Sequence, residues 1–102
     1  MAINVYLQNI REKKFDEVLD WDYSLAKIWP IADQTYPLLQ YIDPYGNTIF
    51  NGMQMPEVVK ELDILIADKS SNEQQKATLG RIRELAMKCQ KQPHTFLRFR
   101  GD

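Results

Sequence analysis

The side chains able to do chemistry in this chain are few and scattered. His94 is the only histidine and Cys89 the only cysteine, so a two-histidine metal site, a paired-cysteine zinc site and an intrachain disulfide are all excluded. His94 has the ordinary titration range of a general base, but it follows the helix-ending Pro93 and reads as a surface residue at a strand start. Cys89 falls on the apolar side of a helical stretch, where a free cysteine behaves as a small hydrophobe. Asp16, Asp20, Asp22 and Asp33 offer oxygens to a hard cation, yet their spacing fits no cation-binding loop and an acidic, solvated segment accounts for them. No G-x-G-x-x-G, P-loop, H-E-x-x-H or C-x-x-C occurs. The expectation is no catalytic residue, no cofactor and no metal.

Charge narrows the partners. With 102 residues and a formal net charge of -1, the chain lacks the global positive field of a dedicated nucleic-acid binder. The charge is unevenly placed: residues 31–70 hold six acidic against two basic side chains, and residues 71–102 seven basic against three acidic. Either that polarity guides a charged partner, or the two halves neutralise each other within one molecule.

The positioning elements follow from periodicity. Ile3, Val5 and Leu7 alternate with polar neighbours, as a strand with one buried face requires. Val18, Leu19, Leu25, Ile28 and Trp29 form an apolar stripe if a helix occupies roughly 22–29, ended by Trp29-Pro30. Leu38–Ile42 and Thr48–Phe50 suit strands, and Asp43-Pro44-Tyr45-Gly46-Asn47 between them supplies a proline angle and a glycine free to turn left-handed, so a hairpin is expected. Pro56 and Glu57 suit a helix start, and Val58, Val59, Leu62, Leu65 and Ile66 recur at helical spacing over 56–67. Ser71 with Gln74 fits a capping box for a second helix, whose Leu79, Ile82, Leu85, Ala86 and Cys89 share a face. Thr95, Leu97 and Phe99 alternate as a last strand. The sum is a single α+β domain over residues 1–102: one small antiparallel or mixed sheet of N-terminal strand, central hairpin and C-terminal strand, with the terminal strands side by side, packed against two longer helices.

The hairpin concentrates contact chemistry. Tyrosine offers large area at low entropic cost, methionine adapts to irregular surfaces, and amides bond in either direction. Tyr36, Tyr41, Tyr45, Phe50, Met53 and Met55 crowd here with Gln40, Asn47, Asn51 and Gln54, though alternation sends part of that set into the core. A second surface is the last strand's other face, where Phe96, Arg98 and Arg100, joined by Tyr6, interleave aromatic and cationic groups as single-strand binders do.

The segment LLQYIDPYGNTIFNGMQMPEVVKEL, with the closing HTFLRFRGD, resembles a family of small bacterial proteins. These share a YIDPYGDTIFN-type core, an MPE helix start and a C-terminal strand ending in Gly-Asp. The resemblance spans Tyr36 to Leu62 and His94 to Asp102 and brings no catalytic residues with it. Asn47 stands where that pattern has aspartate, which argues against a metal in the turn.

The leading expectation is a non-enzymatic, cytoplasmic protein-binding domain of the immunity type, inhibiting a toxin by direct binding. Tyr41, Asp43, Tyr45 and Asn47 would make contact, with Glu57 and Glu61 adding charge from the adjoining helix. The alternatives are a nucleic-acid accessory protein acting through Tyr6, Phe96, Arg98 and Arg100, and a small enzyme. No stretch approaches the roughly 18 apolar residues of a membrane span, no secretory signal is apparent at the N-terminus, and a homodimer through the outer sheet face fits each reading.

Overall fold

A computed structural model describes residues 2–102. Four strands, β1 (Ile3–Asn9), β2 (Lys14–Val18), β3 (Asn47–Asn51) and β4 (Thr95–Gly101), form one antiparallel sheet in the order β2-β1-β4-β3. Two helices, α1 (Met55–Ala67) and α2 (Glu73–Lys91), cover one face, with α2 lying on β1, β2 and β4 and α1 packed alongside it. The α+β class, the two helices and the pairing of first and last strands agree with the periodicity. β4 is a central strand with an apolar face: Leu97 and Phe99 are fully buried, and Phe99 meets Phe50 of β3 at 5.7 Å and Trp29, from outside the sheet, at 5.8 Å between ring centroids.

The central hairpin does not form. Leu39–Tyr41 is a 3-10 turn, and β3 pairs with β4 instead of with the chain before it. The reason is visible in which residues are buried: Leu39 and Ile42, three apart, both enter the core, a spacing that a turn of helix satisfies and a strand does not. Nor is there a helix over 22–29, only a 3-10 turn at Leu25–Lys27. Short acidic side chains capture backbone amides there and compete with helical bonding. Asp20 Oδ2 accepts from Ile3 N at 3.2 Å, its Oδ1 accepts from Leu25 N at 3.3 Å, and Asp22 Oδ1 accepts from Ser24 N at 3.2 Å.

β2 had no legible pattern because it is an exposed edge strand with a charged residue on the helix side of the sheet. Val18 and Asp16 stand opposite Val5 and Leu7, and Asp16 reaches Lys88 of α2 at 2.8 Å where a hydrophobe would be expected. The β1–β2 connection is closed by Asn9, whose Oδ1 accepts from Arg11 N at 2.9 Å and Lys13 N at 3.0 Å, with Glu12 left-handed at φ 63°. The capping box of α2 lies one residue beyond the expected pair. Asn72 Oδ1 accepts from Gln75 N and Gln75 Oε1 from Asn72 N, both at 2.8 Å, while Ser71 bonds Leu65 O and Gln74 bonds Asp22. Lys76 Nζ donates to the carbonyls of Ile66 and Asp68, closing the C-terminal end of α1.

Candidate functional site

The Asp43–Asn47 turn is built by its own first residue. Asp43 Oδ1 accepts from Tyr45 N at 2.8 Å, Asp43 N donates to Thr48 Oγ1 at 3.0 Å, and Gly46 N donates to Asp43 O at 3.4 Å. Gly46 is not left-handed, for no glycine here has a positive φ; a Cβ there would lie 2.6 Å from Asp43 Oδ2, so the Asp43 carboxylate would have to shift. The whole turn is then docked on the end of β4. Gly101 N donates to Gly46 O at 2.8 Å, and a Cβ on Gly101 would run into the backbone of Asp43 and Pro44.

On this fixed frame Tyr45 is 83% and Tyr41 72% exposed. Asp43 is exposed too, with one carboxylate oxygen, Oδ1, engaged in shaping the turn. Asn47 belongs to the sheet as much as to the turn, its Oδ1 accepting from Arg98 Nη1 at 3.2 Å. Tyr41, Asp43, Tyr45 and Asn47 are all exposed.

One of the two glutamates expected to add charge, Glu61, does not reach the surface. Glu61 is fully buried, its Oε1 accepting from Leu38 N and Leu39 N, each at 2.9 Å. It is an anchor for the segment leading into Tyr41, not a contact residue. Burial raises its carboxyl above the ordinary glutamate range, the adjacent Glu57 carboxyl raises it further, and the Leu39 and Leu38 amides pull the other way. Glu57, one turn back on α1, is half-buried against that group. The spacing could have marked it: Val58, Glu61, Leu62 and Leu65 fall at i, i+3, i+4 and i+7, so the carboxyl lies along the apolar stripe of α1.

The outer sheet face is less open than alternation suggests. Tyr6 is buried, with Lys14 Nζ 4.2 Å from its ring centre on the β2 side and Arg98 Cζ 4.8 Å on the β4 side. A ring held between two cations has no face left for a nucleobase. Phe96 and Arg98 are half-buried, and Arg100 is exposed. The aromatic and arginine set thus stabilises its own sheet. A shallow depression of about 180 Å³ lies beside it, lined by Gln8, Asn9, Ile10, Glu12, Ile49 and Phe96.

The remaining chemistry stays apart. His94 is exposed and left-handed at φ 61°. Cys89 is buried against Thr95, and burial pushes its thiol up. Asp16, Asp20, Asp22 and Asp33 are each engaged by separate partners, and among the described residues no three histidine, cysteine or acidic side chains converge. No helix among the described residues is long and apolar enough to cross a membrane. The charged halves meet within the molecule, Arg83 of α2 bonding Asp63 of α1 at 2.6 Å. Trp21, which the apolar stripe read from the sequence leaves out, is 81% exposed after β2. Compared with family models, curated proteins and solved structures, the chain finds no match.

Proposed function

We propose that this chain is a non-enzymatic, cytoplasmic protein-binding domain of the immunity type, which neutralises a bacterial toxin by direct contact. The observation that carries the reading is the pairing of two exposed tyrosines, Tyr41 and Tyr45, with a turn already held in shape by hydrogen bonds and by its seat on Gly101. Interfaces draw most of their energy from a few large side chains, tyrosine prominent among them, and a pre-shaped loop loses little entropy on binding. Asp43 acts as the organiser of the turn and Asn47 as its link to the sheet. Glu61 anchors the segment leading into Tyr41, and Glu57 adds charge from the adjoining helix.

The test is calorimetric titration of the purified chain with a toxin domain encoded beside it. Tyr41→Ala with Tyr45→Ala is expected to weaken binding by about 100-fold or more, whereas His94→Ala leaves it unchanged. Undiminished affinity of the double tyrosine variant would remove the turn from the interface.

A further inference from the structure

The sheet has two edges, and they differ in how they are defended. β2 carries Lys14, Asp16 and Glu17 and pairs with β1 through a register irregularity at Leu7/Gln8, the charges and bulges that normally discourage edge-to-edge association. β3 reads Asn-Thr-Ile-Phe-Asn, without charge, proline or bulge.

The direction of its main-chain groups can be assigned. Gly101 N donates to Gly46 O while Asn47 stands opposite Arg100, so by antiparallel alternation Thr48 and Phe50 turn their amides and carbonyls toward β4, and Asn47, Ile49 and Asn51 turn theirs to the free edge. Of the outward amides, that of Asn51 is already held by Gln54 Oε1 at 2.9 Å. The Ile49 side chain, on the outer face, is 55% exposed.

We infer that β3 is a self-pairing edge, and that two copies of this chain join antiparallel through β3 into one continuous eight-stranded sheet. The occupant follows from the order of residues. About a two-fold axis at Ile49, Ile49 meets Ile49 of the second copy, and Asn47 meets Asn51 at both ends. Apolar faces apolar and amide faces amide on the outer side, and no like charges are opposed. The reciprocal pair of main-chain bonds between the two Ile49 residues closes the seam, since the Asn51 carbonyl already opens the 3-10 turn Gly52–Gln54. A strand from an unrelated protein could use the same amides but would not gain this matched register. The pairing is independent of the reading of the Asp43–Asn47 turn.

Sedimentation equilibrium of the full chain up to about 1 mM, the weak end of specific association, tests it together with amide exchange. A reversible monomer–dimer equilibrium is expected, with the Ile49 amide protected only at dimer-forming concentrations. Ile49→Pro removes the outward donor at a position where an edge strand tolerates proline, and Ile49→Lys places a guarding charge there. Each is expected to raise the dimer dissociation constant at least about 10-fold with far-UV circular dichroism unchanged, and the lysine variant decides the matter if the proline one unfolds. A chain still monomeric at the highest concentration, or a dimer equally strong in a folded variant, overturns the proposal.

Discussion

Glu61 Oε1 accepts the amide of Leu39 at 2.9 Å across 22 positions of sequence, tying the middle of α1 to the turn that precedes the exposed Tyr41. The bond replaces the hairpin partner that the Leu38–Ile42 segment lacks. Glu61→Ala would leave the Leu38 and Leu39 amides without their acceptor in the interior, so a loss of about 2–4 kcal/mol is expected in urea unfolding. Glu61→Gln retains an acceptor oxygen and should lose less than half as much.

The same group gives the fold an unusual pH dependence. Its folded carboxyl is raised, first by burial and then by Glu57, so the native state holds a proton more tightly than the unfolded one. Its contribution is fully present below the unfolded value and is lost as pH rises through the folded value. Asp16, Asp22 and Asp68 are lowered by hydrogen bonds, chiefly from Lys88, Ser24 and Ser70 respectively, and act oppositely, losing their contribution as pH falls through their folded values. Wild type minus Glu61→Gln, measured by thermal unfolding in steps of pH, should isolate a term that grows as pH falls from neutral. A difference that is flat or grows with rising pH contradicts this assignment.

Gly101 and Gly80 predict opposite outcomes for the same substitution. Gly101→Ala sets a methyl group against the backbone of Asp43 and Pro44, which cannot swing aside as a side chain would; a loss of at least about 2 kcal/mol is expected from overpacking, with altered backbone shifts at Tyr45. Gly80 lies inside α2 with open space where its Cβ would be, so Gly80→Ala should gain about 0.5–1 kcal/mol. Denaturant midpoints of the two variants check both signs.

Asn72, not Ser71, begins α2. Asn72→Ala removes the acceptor for Gln75 N and should cost about 1 kcal/mol, whereas Asn72→Ser should be close to neutral because serine caps comparably. Unfolding midpoints that rank these two variants the other way would place the helix start elsewhere.

The sequence by itself determined the elements whose burial repeats with a regular period. Ile3, Val5 and Leu7, the α1 run from Val58 to Leu65, the α2 face from Leu79 to Cys89, and Thr95, Leu97 and Phe99 each declare a strand or a helix because one face of each is apolar along its length. The turn at Asp43–Asn47 was legible for a local reason, the residue types that bend a chain. What needed the tertiary structure was every contact satisfied by a distant partner. β2 is held by β1 and by Lys88, so its helix-side Asp16 erased the alternation. Leu39 and Ile42 are seated by the core and by Glu61, so a strand-like composition became a turn. Tyr6 is covered by Lys14 and Arg98 from two different strands, which closed a face that alternation alone left open. Local periodicity reports which side of an element is buried; which element buries it depends on chain segments tens of residues away, and that choice decided which of the predicted contact residues reached the surface.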